Sequence, residues 1–129
     1  MLKLLASVLI GFVLASCTTP PSGPTYQVGG RAVAGPTCPV EPAQPVPGQC
    51  DPRPVVGAQL VLTDDSGHEI VRLASDGDGA FSTSLPAGTY TLTPQPATGI
   101  LGVAPPIEFT VSASDHPTTL RVQYDTGIR

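Results

Sequence analysis

Residues 56–92 read VGAQLVLTDDSGHEIVRLASDGDGAFSTSLPAGTYTL. Val56, Ala58, Leu60 and Leu62 alternate with Gly57, Gln59, Val61 and Thr63. A period of two is the mark of a half-buried strand. Asp64-Asp65-Ser66-Gly67 follows and is a turn by composition, because Asp and Ser side chains bond nearby backbone and Gly takes positive φ. Residues 69–75 make a second strand with Val71, Leu73 and Ser75 on one face. Asp76-Gly77-Asp78-Gly79 is the next turn. Phe81, Thr83 and Leu85 alternate in a third strand. Pro86-Ala87-Gly88 then reverses the chain into residues 89–94, where Tyr90 and Leu92 share a face.

The same reading extends outward. Ile107, Phe109 and Val111 mark one more strand, and Leu120, Val122 and Tyr124 another. Upstream, residues 26–33 make a first strand. It contains Gly29 and Gly30, so an irregular or bulged course is expected. Seven short strands separated by turn signals predict an all-β sandwich or barrel. The chain of 129 residues has 16 Pro and 14 Gly, which leaves little room for long helices. Its formal net charge of −4 argues against a nucleic-acid partner, which requires a basic footprint.

The first residues have a different character. Met1 and Lys3 precede a run of mostly apolar residues, 4–15. The run is shorter than the roughly 20 residues needed to span a bilayer and reads as a secretory leader. It ends in Leu14-Ala15-Ser16-Cys17, which resembles the lipobox of bacterial lipoproteins. That resemblance implies a signal peptide over residues 1–16 and lipid attachment at Cys17, which becomes the N-terminus. Buried acyl chains contribute about 0.8 kcal/mol per CH₂, so two or three chains anchor a protein stably. Thr18 rather than Asp after the Cys implies, by family habit, the outer membrane in a cell that has two. Residues 17–25 then form a lipidated, Pro-rich tether.

Residues 34–56 are a Pro-rich loop, with seven Pro from Pro36 to Pro54. Neither helix nor ladder is expected at that density. Cys38 and Cys50 bracket it. An exported location permits oxidation, and a Cys38–Cys50 disulfide would stabilise by roughly 3 kcal/mol in the chain-entropy model. Two free thiols or a metal pair are the alternatives. Zinc wants about four Cys or His ligands, and the imidazoles here are His68 and His116, far apart in sequence.

Gly57-Ala58, Leu60-Val61-Leu62, the run Asp76 through Phe81, and the run Leu85-Pro86-Ala87-Gly88-Thr89-Tyr90-Thr91-Leu92 together resemble the carboxypeptidase regulatory-like domain. Ser75 stands where that family usually has Thr. The resemblance implies a seven-stranded, Ig-like or transthyretin-like antiparallel β-sandwich over residues 26–129, and a mostly non-catalytic module. The same stretch is similar to collagen-adhesin B-type repeats, which often carry a Lys–Asn isopeptide bond. Lys3 is the one lysine, it lies in the leader, and the chain has no Asn. That crosslink therefore has no chemistry available here.

Three clusters are candidates for chemistry. Asp76 and Asp78, with Asp64 and Asp65, offer carboxylates to calcium, but the third acid and closing Glu of an EF-hand are missing. They are read as turn residues, and no metal or cofactor is expected. Ser66, His68 and Asp64 or Asp65 include triad residue types, but without the strained nucleophile elbow or a buried acid. No catalytic residue is assigned, and His116 is read as a solvated turn histidine. In residues 97–106, Ile100, Leu101 and Val103 are large and apolar without strand alternation. They either cap the open end of the sandwich or contact a partner. The expected function is a lipid-anchored, non-catalytic cell-envelope module that supports or binds another envelope protein. A small-ligand or metal-binding lipoprotein is the alternative.

Overall fold

A computed structural model describes residues 23–128 except 41, 42, 45, 115 and 116. The leader, Cys17, most of the tether and His116 lie outside the described residues. The described residues form eight strands and no helix: β1 (Thr25–Gly35), β2 (Arg53–Pro54), β3 (Gln59–Asp64), β4 (Glu69–Ala74), β5 (Ala80–Pro86), β6 (Gly88–Pro94), β7 (Ile107–Val111) and β8 (Thr118–Asp125). Seven are the strands expected from the sequence. The eighth, β2, is a two-residue pairing with Val33 and Ala34 inside the Pro-rich loop. Pro54 has no N–H to give, and the backbone bond there runs from Val55 N–H to Ala32 O at 2.9 Å.

The strands pack as a sandwich. One sheet holds β1 with β5 and β2 along one edge and β8 along the other. The second sheet has the order β4-β3-β6-β7. All pairings are antiparallel except β1 with β8, which is parallel over Val28–Gly35 against Thr118–Asp125. That pairing needs a crossover through the opposite sheet, a long-range feature that no local pattern encodes.

The inward residues meet between the sheets. Val28, Leu60, Leu62, Leu92, Val111, Val122 and Tyr124 are fully buried, and Phe81, Leu85, Tyr90 and Leu120 are nearly so. Each large side chain withdrawn from water contributes about 1.5–3 kcal/mol. The Tyr90 and Phe109 rings meet tilted, with centroids 5.9 Å apart.

Two local expectations are corrected. Strand β1 is not bulged: its register against β5 and β8 runs unbroken through Gly29 and Gly30. Gly30 is needed for close approach, because a Cβ there would strike the Leu120 carbonyl and press the Phe81 ring. The described register shift lies instead in β3, between Leu62 and Thr63. Second, the inward valine before β3 is Val55, 6% exposed, whereas Val56 is 65% exposed. A turn intervenes, with Gly57 at φ +70°, so the alternation inward begins at Ala58.

Ser75 holds that turn. It is the buried polar residue of the described core, 5% exposed. Its hydroxyl donates to Val55 O and accepts from Ala58 N–H at 2.8 Å. Its backbone N–H donates to Ala58 O, and its carbonyl accepts from Gly57 N–H. Every polar group of Ser75 is thereby satisfied inside the protein.

Candidate functional site

The parallel pairing gives the sandwich two distinct poles. At one, the chain enters β1 at Thr25. At the other, β1 ends at Gly35 beside Asp125, where β8 ends. An eleven-residue strand puts roughly 35 Å between them.

The far pole gathers three segments that are distant in sequence. The Pro-rich loop leaves β1 there and is closed by the Cys38–Cys50 disulfide, with Cα atoms 5.4 Å apart. The C-terminal segment lies against it, with the Thr126 hydroxyl donating to Pro36 O at 2.6 Å and Thr126 N–H to Gly35 O at 3.2 Å. The 97–106 loop crosses the end of β8: a Cβ on Gly102 would strike the Asp125 carbonyl. Tyr124 secures the root of that loop by donating its hydroxyl to Gln95 O at 2.8 Å. Burial raises the Tyr124 pKa above its ordinary value.

Within the loop the three apolar residues divide. Ile100 is half-buried and packs on the core, along with Ala97. Leu101 is 96% exposed and Val103 63% exposed, while Ala104 is buried. Ile100 thus caps the sandwich end, and Leu101 and Val103 face outward. Val40 and Val46 of the disulfide loop are also exposed; Pro density hid them from a reading based on alternation.

The acidic turns are built for backbone bonding. Asp64 Oδ1 accepts the N–H groups of Ser66 and His68, both at 2.9 Å. Asp76 Oδ1 accepts those of Asp78 at 2.8 Å and Ala80 at 2.9 Å. The backbone bond from His68, opposed by partial desolvation and helped by the Ser66 bond and the nearby imidazole, holds the Asp64 carboxyl below its ordinary pKa. His68 Nδ1 is 3.7 Å from Asp64 Oδ2, with the imidazole 81% exposed. Ser66 enters this cluster through its backbone N–H. No group of three His, Cys, Asp or Glu residues placed to hold a metal occurs among the described residues.

The Leu85–Leu92 motif makes a corner between the sheets: β5 lies in one and β6 in the other, with Ala87 alone between them. Tyr90 buries its ring and donates its hydroxyl to Pro86 O at 2.7 Å, spanning the corner. Desolvation, then the charges of Asp64 and Asp65, raise its pKa.

No protein-family model matches the sequence. No curated protein matches it either. Solved structures do match in fold. BcpA, the major pilin subunit of Bacillus cereus, superposes with a TM-score of 0.60 at 17% identity, over 80% of this chain and 30% of that one. The shaft pilin SpaA of Lactobacillus rhamnosus gives 0.59 at 12% identity, over 80% of this chain and 51% of that one. A DUF3823 family protein of Parabacteroides merdae gives 0.51 at 18% identity, over 80% and 47%. The chain thus spans 30% to 51% of the length of these three. At these identities the likeness is one of fold, a β-sandwich.

Proposed function

We propose that the chain is a non-catalytic, lipid-anchored module of the bacterial cell envelope. In this reading it carries a sandwich of the carboxypeptidase regulatory-like type and contacts an envelope partner through its far pole. The observation that carries the proposal is the polarity of the domain. The lipobox-like Cys17 precedes the strand that enters at one pole. The disulfide loop, Leu101 and Val103 are presented at the other, roughly 35 Å away. Residues 17–25, rich in Pro, would link Cys17 to the sandwich.

Pilin modules with the same fold support a structural or adhesive role over catalysis. The acidic turns do not favour a metal carrier, because one oxygen of each of Asp64 and Asp76 is already occupied by two backbone donors.

Two measurements on the full chain test the proposal. Cys17→Ala is expected to move the protein from the membrane fraction to the soluble fraction and to abolish lipid labelling. A photo-crosslinking residue at Leu101 is expected to give a discrete adduct in intact cells, while one at the exposed Thr89, near the opposite pole, gives none. Unchanged membrane association of Cys17→Ala overturns the anchor. Equal adducts from both positions overturn the polarity.

A further inference from the structure

On the outer face of the first sheet, the register of β1 against β8 sets Arg31 directly beside Arg121. Both are exposed. With Gly30, Thr119 and Leu120 they line a shallow, open groove of about 440 Å³. Adjacent strands lie about 4.8 Å apart, so two like charges stem from neighbouring positions of this face. Like charges directly opposite on a ladder destabilise a sheet.

No described acid relieves this. The arginine ion pair among the described residues is Arg72 with Glu69, on the other sheet. Arg121 Nε donates to the neutral Gln123 Oε1 at 3.4 Å. Asp125 shares the outer face but stands four residues further along β8, about 13 Å away by strand rise, and accepts from Gly127 N–H. Asp76 and Asp78 lie in the turn before Ala80, which is registered on Arg31. Neither forms an ion pair with Arg31, and Asp76 Oδ1 is taken by its own turn.

The next row of the same face adds the Thr119 hydroxyl to the groove. Gly29 has Thr119 registered on one side and Ser82 on the other, both exposed. A chain with a net charge of −4 therefore carries a local cationic notch. Its stability would be better served by one neutral residue, and rules broken locally tend to mark functional positions.

The geometry points to an anion site: Arg31 and Arg121 hold a phosphate group, with the Thr119 hydroxyl as a further donor. A carboxylate satisfies one guanidinium fork, whereas a tetrahedral dianion takes charge-assisted bonds from two forks at once. The phosphate is carried either on a lipid headgroup or on a phosphorylated glycan.

The test is titration of the full chain in neutral detergent with inorganic phosphate, against chloride at matched ionic strength. The readouts are the arginine Nε–H resonances and the melting temperature. The expected result is saturable shifts at Arg31 and Arg121 but not at Arg72, with binding at least tenfold weaker in Arg121→Gln and in Arg31→Gln. Arg121→Gln is also expected to melt at the same or a higher temperature without phosphate, since repulsion is removed. Arg121→Lys, which keeps charge and loses the fork, is expected to bind with intermediate affinity and covers the case in which the Gln variant is poorly folded. Glycerol 3-phosphate and glucose 1-phosphate then separate the sources: tighter binding of the first assigns a lipid headgroup, of the second a glycan. Equal shifts with chloride, or unchanged phosphate affinity in the folded Gln or Lys variant, would falsify the site.

Discussion

Two turns in this molecule are locally the same device in different surroundings. In residues 64–68 and 76–80 an Asp carboxylate accepts the N–H groups two and four residues on. In both, a glycine three residues on has positive φ, +82° at Gly67 and +74° at Gly79. In both, the Asp N–H donates to the carbonyl four residues on, and the glycine N–H donates to the Asp carbonyl. Yet the first joins β3 to β4 as a hairpin within one sheet, while the second carries the chain from β4 to β5 in the other sheet. Gly67 faces open space. Gly79 is clamped: its carbonyl accepts from Ala32 N–H at 2.8 Å, and a Cβ there would strike the Ala32 carbonyl and press on Pro54. Identical turn chemistry can thus end a free hairpin or seat a crossing between layers. The residues it meets decide which.

The largest effect should come from breaking the clamp. Gly79→Ala meets both the φ penalty and backbone of β1, and is expected to destabilise by about 3 kcal/mol or more in urea unfolding. Gly67→Ala meets the φ penalty alone and is expected to cost about 1–2 kcal/mol. Equal midpoints for the two variants would show that surroundings add nothing to the turn.

Ser75 comes next, because it fastens the strand end just before the clamped turn. Ser75→Ala leaves Val55 O and Ala58 N–H without their buried partner, and is expected to cost about 2 kcal/mol. Ser75→Thr, which keeps the hydroxyl, should recover most of that if the added methyl is accommodated. Chemical denaturation of the pair measures it.

The smallest effect concerns the open turn. Asp64 has its folded pKa depressed below the ordinary carboxylate value. Its contribution is therefore present above the unfolded value and is lost as pH falls through the folded one. Stability followed from pH 6 down to pH 2 should fall less steeply in Asp64→Asn than in the native chain. An unchanged slope would remove the carboxylate from the acid response.

The alternating runs showed seven strands because burying one face of a pleated strand imposes period two whatever its neighbours are. Val56 was misread because apolar character alone does not say where alternation starts. The turn at Gly57 shifts the inward role to Val55, and only the distant Ser75 holds that turn. Gly29 and Gly30 suggested irregularity because glycine weakens strands in general. Here Gly30 is required by the approach of β8, a segment some ninety residues later. The groove between Arg31 and Arg121 was hidden for the same reason, since each arginine alone reads as an ordinary outward residue. Leu101 and Val103 were legible as unusual from composition, but the division between them and Ile100 depends on which atoms the sandwich end covers.

By itself, the sequence determined what depends on near neighbours: period-two strands, Asp-x-x-Gly turns, the Tyr90 corner motif and a cysteine pair bracketing a loop too rich in proline for regular structure. Tertiary structure alone decided which sheet each strand joined, the parallel partnership of β1 with β8, the two-residue β2, the clamp on Gly79 and the pairing of two arginines. The physical reason is range. Turn geometry and side-chain alternation arise within about five residues, whereas sheet partnership is settled by burial and close approach between segments far apart in the chain.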